Sequence, residues 1–188
     1  MCPTCERRRT VGRKTFAILA LALLALLSGA ARAEGPYRAY LPLTGRMFFD
    51  RPVTWATVTK IIDGDTVWVD LDGDGAGDAK VRYIGVDTPE TTFGPPECYG
   101  LDAKEHNRTL VGGQRIALEK DVSETDRYER LLRYVYLGDG TWINGVLVRE
   151  GYAKVTIYPP DRRYEAQLYA LQAQAQAEHA GGWGACGW

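Results

Sequence analysis

Two β-branched segments flank an Asp-Gly pair in the sequence TVTKIIDGDTVWV, residues 57–69. Side chains branched at Cβ favour extended backbone, and Asp-Gly between two such segments is typical of a hairpin turn. We therefore predict strands at 57–62 and 66–69, joined by a turn at Asp63-Gly64. A second acid, Asp65, follows at once, so the predicted hairpin also brings two carboxylates close together.

Further strands and helices are predicted along the chain, with turn signals between them. After a Gly/Asp loop, the predicted elements are strands at 80–86, 115–120 and 131–137, an extended segment at 152–158, and helices at 101–111, 142–150 and 162–179. Five short strands with an inserted helix, followed by more helices, predict a β-rich α+β fold. In it, a small five-stranded barrel is covered by about three helices.

The distribution of charge excludes one broad class of function. The chain has 188 residues and a formal net charge of −1, but residues 1–33 carry six basic residues and one acid. The rest has 17 Lys and Arg against 23 Asp and Glu, and this net charge of −6 excludes a generic basic protein that coats nucleic acid. The excess negative charge lies between Asp63 and Glu90. Repulsion among these acids is unfavourable unless a cation binds there or the side chains spread into solvent.

The N-terminal residues have the pattern of an export signal. Basic residues are followed by an apolar run at 16–27 and by Ala31-Arg32-Ala33, which fits a cleavage site. The run is short for a transmembrane helix, so an uncleaved anchor is the weaker alternative. We predict a signal peptide at 1–33, a proline-containing linker at 34–53 and a domain at 54–188. The protein is expected outside the cell or in the cell envelope, without a stable membrane anchor.

The four cysteines divide into two pairs. Cys2 and Cys5 form a C-x-x-C with no second pair to complete a zinc site, and we expect them to leave with the signal. Cys98 and Cys186 remain. In an oxidising compartment two cysteines favour one disulfide, with two free buried thiols as the alternative.

Three motifs carry the residue types that metal-dependent phosphodiester hydrolysis needs. They are IDGDTV at 62–67, RYIGVDTPE at 82–90 and DRYER at 126–130. Two carboxylates and a backbone carbonyl are hard oxygen ligands that suit Ca²⁺. A further carboxylate can take a proton from water, and two arginines can hold a phosphate whose charge grows in the transition state. The three motifs together therefore indicate a metal-dependent phosphodiesterase.

In the order and spacing of these motifs, residues 54–180 resemble the staphylococcal nuclease-like (thermonuclease) family. The resemblance implies an OB-type barrel with three helices and Ca²⁺-dependent hydrolysis of DNA and RNA that leaves 3′-phosphates. It also implies roles for nine residues: Asp65, Asp87 and the Thr88 carbonyl as Ca²⁺ ligands, Asp63 as their support, Glu90 as general base, Arg82 and Arg130 on the scissile phosphate, and Arg127 and Tyr128 on another phosphate.

The expected protein is thus a secreted, monomeric, calcium-dependent endonuclease. An acidic domain lacks a broad duplex-binding face, so we expect single strands of DNA and RNA to be favoured. The alternative from another class is a catalytically silent OB-like module that binds nucleic acid. That alternative usually predicts a missing Asp, Glu or Arg in the motifs, and none is missing here.

Two features depart from the family pattern. The loop at 70–78 lengthens the hairpin before Arg82, and Glu129 stands where a small or neutral residue, often glycine, precedes the second arginine. We expect Glu129 to face away from Arg130, because neighbours in an extended segment face opposite sides. The same alternation places Arg82 and Asp87 on opposite faces unless the strand bends, for which Gly85 is the candidate.

Each motif also has a purely structural interpretation. Asp63-Gly64 alone indicates a turn, Pro89-Glu90 alone indicates a helix start, and the two arginines could form surface ion pairs. The loop at 70–78 resembles half of an EF-hand but lacks the bidentate glutamate, since Val81 stands at that position. A solvated hairpin tip is therefore favoured there over a weak second Ca²⁺ site.

Overall fold

The computed structural model describes residues 51–92 and 94–188. The predicted signal peptide at 1–33, its cysteines Cys2 and Cys5, and all but the last three residues of the predicted linker lie outside the described residues. These assignments therefore stay predictions. The first strand begins at Val53, close to the predicted start of the domain at residue 54.

Seven strands and four helices are formed within the described residues. In chain order they are β1 Val53–Ile61, β2 Thr66–Asp70, β3 Ala79–Tyr83, β4 Val86–Asp87, α1 Gly100–Val111, β5 Arg115–Glu119, β6 Leu131–Tyr136, α2 Ile143–Arg149, β7 Lys154–Val155, α3 Glu165–Ala177 and α4 Gly182–Ala185. Across these ranges, no helix combines the length and the apolar character required to cross a bilayer.

Five strands close a barrel in the order β1-β2-β3-β6-β5. β3 and β6 pair in parallel, whereas the other neighbouring strands in the barrel are antiparallel. β4 and β7 form a separate two-stranded ladder. The closed five-stranded barrel with its helices confirms the predicted fold class, a β-rich α+β structure of the OB type.

The interior of the barrel and the inner faces of the helices share one hydrophobic core. Alternate side chains of the strands point inward, and α2 and α3 add leucines from outside the barrel. Its fully buried members include Val67, Val69, Val81, Ile116, Leu147, Leu168 and Leu171. Because the site-bearing turns leave from the ends of these packed strands, the core holds them on a rigid frame.

The predicted strand at 80–86 is wrong in one respect, because the structure divides it in two. β3 ends at Tyr83, and Gly85, with a φ of 78°, turns the chain into β4. A Cβ atom at Gly85 would lie 2.5 Å from Cδ1 of Leu168 on α3. Glycine is therefore needed there for both the backbone angle and the close packing of the helix.

The C-terminal third differs from the prediction in smaller ways. Only Lys154–Val155 of the predicted extended segment pairs, with β4, and α3 is shorter than the predicted helix at 162–179. A further short helix, α4, begins at Gly182 beyond the end of the predicted helix. These differences lie at element ends, where local sequence signals are weakest.

Candidate active site

The turn between β1 and β2 presents the first two acids. Both Asp63 and Asp65 are buried, and Oδ1 of Asp63 accepts a hydrogen bond from the Asp65 N–H at 3.2 Å. A Cβ atom at Gly64 would lie 2.7 Å from the side chain of Thr88, so this turn packs directly against the second motif. The glycine of the turn is thus required for the two motifs to meet.

Two buried asparagines fix the turns that carry the acids. Asn107 of α1 donates through Nδ2 to the Asp63 carbonyl at 3.0 Å. Asn144 of α2 donates through Nδ2 to the Ile84 carbonyl at 2.9 Å, beside the bend at Gly85. A buried amide without partners is costly, so these bonds hold each turn to a helix in a defined position.

Arg82 joins the two carboxylates predicted to bind the metal. Its Nη1 lies 2.9 Å from Oδ2 of Asp65, and its Nη2 lies 2.7 Å from Oδ1 of Asp87. Oδ2 of Asp65 also accepts the Thr88 N–H at 2.8 Å. The structure therefore brings Arg82, Asp65, Asp87 and Thr88 together. The bend predicted at Gly85 is confirmed, and it is what allows Arg82 and Asp87 to meet.

The carboxylates of the site carry more negative charge than Arg82 can neutralise. Burial, and next to it the charge of Asp65, raise the pKa of Asp63 to about 7. Partial burial and the charges of Asp65 and Asp87 also raise the pKa of Glu90. Burial opposes the charge on Arg82, yet Asp65 and Asp87 hold the pKa of this guanidinium above its ordinary value. An all-oxygen cluster with surplus negative charge fits a hard divalent cation.

A cavity of about 550 Å³ connects the second and third motifs. Its lining includes Arg82, Asp87 and Glu90 on one side and Arg127, Tyr128 and Arg130 on the other. Arg130 is held by Asp126, with its Nε 2.7 Å from Oδ2, and Tyr128 is 62% exposed at the mouth. The guanidinium of Arg127 lies 4.7 Å from the Tyr128 ring centroid. All three arginines predicted to bind phosphates, Arg82, Arg127 and Arg130, thus line one cavity that a substrate can enter.

The segment before β6 corrects the reasoning about Glu129. Residues 126–130 form a tight turn and not an extended segment, because Asp126 Oδ1 accepts the N–H groups of Tyr128 and Arg130. Glu129 has a φ of 62°, the left-handed region, which explains why glycine suits this position. Arg130 pairs with Asp126 and not with Glu129. The expected separation of Glu129 from Arg130 is found, but the turn and not strand alternation produces it.

The loop that carries Glu90 is closed by a pair of hydrogen bonds. The Glu90 N–H donates to Oε2 of Glu97, and the Glu97 N–H donates to the Glu90 carbonyl, both at 3.0 Å. The next residue, Cys98, forms a disulfide with Cys186, which follows α4. The predicted pairing is therefore present in the structure. It ties the C-terminal residues to the base of the Glu90 loop.

Loss of this disulfide is expected to lower the melting temperature. The bond closes a sequence separation of 88 residues, for which the chain-entropy model gives at most about 4–5 kcal/mol of unfolding free energy. Thermal melts should show a decrease for Cys98→Ser combined with Cys186→Ser. Reductant should have a comparable effect on the native protein and none on the double variant, which is the control. Equal melting of the native and double-variant proteins would contradict the stabilising role.

The hairpin loop gathers acids of its own. Within the described parts of the chain, Asp70, Asp72 and Asp78 form a group of carboxylates whose oxygens lie within 4.8 Å of one another. Their oxygens already accept N–H groups of the same loop, since Asp70 accepts those of Gly73 and Gly75, and Asp78 accepts that of Leu71. These hydrogen bonds within the loop explain the acids as residues that stabilise a hairpin tip.

Besides Asp126, which holds Arg130, three positioning residues were missed by sequence reasoning. Asn107 falls on the inward stripe of α1 with Ala103 and Val111, so a polar residue at an apolar helical position was the signal for it. Asn144 similarly lies among buried apolar residues of α2. Glu97 gave no such signal, because its role depends on a loop whose closure cannot be read from spacing.

Comparisons with known proteins find nucleases similar to this chain. A family model described as staphylococcal nuclease homologue matches residues 80–185. The thermonuclease of Staphylococcus intermedius is 35% identical over 169 residues, which cover 88% of this chain and 94% of the relative. The thermonuclease of Staphylococcus hyicus is 40% identical over 121 residues, covering 63% and 69%. Endonuclease YncB of Bacillus subtilis is 37% identical over 137 residues, covering 70% and 63%.

Proposed function

The chain belongs to the staphylococcal nuclease family, and from this premise we propose that it is an exported, calcium-dependent endonuclease. Its substrates would be DNA and RNA, preferably single-stranded, and its products would carry 3′-phosphates. The observation that carries the proposal is the contact of Arg82 with both Asp65 and Asp87, at the edge of a cavity that also exposes Glu90 and Arg130. A module that only binds nucleic acid, without hydrolysing it, would not need this combination of carboxylates and arginines.

The acidic cluster supplies the ligands for the metal. Asp65, Asp87 and the Thr88 carbonyl would hold Ca²⁺, and Asp63 would support them through its hydrogen bond with the Asp65 backbone. Bound there, the ion would help to neutralise the phosphate and the leaving oxygen during hydrolysis. The oxygen-only donor set favours Ca²⁺ over metals that prefer histidine or cysteine.

The remaining residues act on the phosphate and on water. Arg82 and Arg130 would donate hydrogen bonds to the scissile phosphate and stabilise the charge that it gains in the transition state. Glu90 would orient the attacking water and accept its proton. Arg127 and Tyr128, which stack at the cavity mouth, would contact a neighbouring phosphate of the same strand. The hydrogen bonds that Asp126 accepts from Arg130 and that Glu97 accepts from the Glu90 N–H would keep Arg130 and the Glu90 loop in position.

Hydrolysis assays on single-stranded DNA and RNA test the proposal. We expect the protein recovered from expression of the full chain to cleave both with Ca²⁺ and to lose activity in excess chelator. Product ends should be refractory to extension until a phosphatase removes the 3′-phosphate. The intact mass of the exported protein should correspond to a start after Ala33. Full activity in chelator would overturn the metal requirement, and 5′-phosphate products would overturn the proposed direction of cleavage.

A further inference from the structure

The outer surface of the barrel carries three cations that the active site does not use. Lys60 on β1, Lys80 on β3 and Arg115 at the start of β5 are all exposed. Within residues 51–92 and 94–188, none of the three forms a salt bridge with a carboxylate. Their positive charge is therefore available to an anionic partner.

Two half-buried tryptophans lie beside these cations, and two of the three cations, Lys80 and Arg115, contact a tryptophan ring. Strand register sets Trp68 opposite Lys60 on one side and opposite Lys80 on the other. Nζ of Lys80 lies 5.1 Å from the Trp68 ring centroid. The guanidinium of Arg115 lies at the same distance from the ring of Trp55, on the neighbouring strand. Such contacts limit the freedom of the long side chains while their charged groups stay at the surface.

This surface is continuous with the active site. Side chains two residues apart on a strand share a face, so Lys80 lies about 7 Å along β3 from Arg82. In the same register, Arg82 pairs with Thr66 and Lys80 pairs with Trp68. A strand of nucleic acid held at Arg82 would therefore meet Lys80 and Trp68 next, followed by Lys60.

Negative charge borders this face rather than lying between its cations. On β2, Asp70 shares the face of Trp68, but it is buried and accepts the N–H groups of Gly73 and Gly75. On β5, Glu119 is buried and paired with Arg163. The exposed acids of the hairpin loop, Asp72, Asp74 and Asp78, border the face at the end of the β2–β3 hairpin, where Gly77 packs beside Trp68. A local row of positive charge thus exists in a domain whose net charge is negative.

We propose that Lys60, Lys80 and Arg115, braced by Trp55 and Trp68, form a track that binds the phosphates of a single nucleic-acid strand running from the active site. The inference rests on the proposed nuclease function and extends the substrate contacts beyond the cavity. A single strand can follow a curved barrel, whereas a duplex is stiff over about 150 base pairs. A row of separate cations, limited by an acidic tip, also suits one strand better than two.

The test compares two variants with the same change in net charge. The track variant is Lys60→Gln, Lys80→Gln and Arg115→Gln, and the control is Lys104→Gln, Arg108→Gln and Arg149→Gln, on α1 and α2. Each is assayed on a single strand of about 30 nucleotides, longer than the about 4–16 that one OB fold covers, and on a dinucleotide with one phosphodiester bond. Equilibrium binding of the labelled long strand is measured in parallel, at several salt concentrations.

For the track variant, we expect kcat/KM on the long strand, divided by kcat/KM on the dinucleotide, to fall about 10-fold. The fall should come from a higher KM for the long strand. The slope of log binding constant against log salt should become shallower by about 2, since each single-strand phosphate contact contributes about 0.7. The control variant should keep the native ratio and slope. Equal changes in both variants, or an unchanged ratio in the track variant, would overturn the proposal.

Failure of the nuclease function gives a different result. If neither substrate is cleaved by the native protein, the proposed activity is wrong, and the binding measurements alone decide the track. A shallower salt slope confined to the track variant would still support it. Native-like binding by the track variant would refute it.

Discussion

Replacement of Glu90 by glutamine is expected to slow cleavage by about 10²–10⁴-fold, the usual contribution of a general base. Glutamine keeps the size of the side chain but cannot accept the proton of the attacking water. Glu90 is exposed to the cavity that Arg82 and Arg130 share, so the substitution should leave the fold and most metal binding intact. The measurement is kcat on single-stranded DNA at saturating Ca²⁺.

Glu97→Gln provides the matched control for charge. It removes one negative charge from the same loop, while its remaining oxygen can still accept the Glu90 N–H. Its kcat should stay within a few-fold of the native value if proton transfer, and not the local charge, explains the effect at Glu90. A Glu90→Gln enzyme with near-native turnover would remove Glu90 from the mechanism.

The parts of this protein that could be predicted from sequence are those set by local chemistry. Asp-Gly between two β-branched segments specifies the β1–β2 hairpin, and Gly85 specifies the bend that lets Arg82 reach Asp87. The disulfide could be predicted by counting, because removal of the predicted signal peptide would leave Cys98 and Cys186 as the two remaining cysteines. In each case few residues, close in sequence or limited in number, determine the outcome.

The parts that could not be predicted depend on contacts between distant elements. Asn107 reaches the Asp63 carbonyl across 44 residues, and Asn144 reaches the Ile84 carbonyl across 60. The turn at 126–130 is a local exception: the sequence reasoning treats this segment as extended, whereas Asp126 accepts the N–H groups of Tyr128 and Arg130, two and four residues further on. Net charge likewise concealed the cations on the barrel surface, because a sum over the chain carries no information about faces.

Removal of the Asp65 carboxylate is expected to have an effect similar in size to that at Glu90. Asp65 accepts the Thr88 N–H and pairs with Arg82, so alanine there would disturb the predicted ligands on both sides. Loss of the several kcal/mol that a metal contributes to phosphate hydrolysis corresponds to about 10²–10³-fold in rate. Activity titrated against Ca²⁺ should show both a lower maximum and a higher half-saturating concentration.

Two further variants separate this site from the acidic hairpin tip. Asp65→Asn keeps the shape of the side chain and an oxygen that can accept the Thr88 N–H, so the variant should remain folded. Its activity should nevertheless respond only weakly to added Ca²⁺. Asp74→Ala removes an exposed acid that accepts the Ala76 N–H, and it should leave the Ca²⁺ titration unchanged. Because each variant removes one negative charge, general electrostatics cannot explain a difference between them. A native titration for Asp65→Asn with a weakened one for Asp74→Ala would move the functional ion to the hairpin loop.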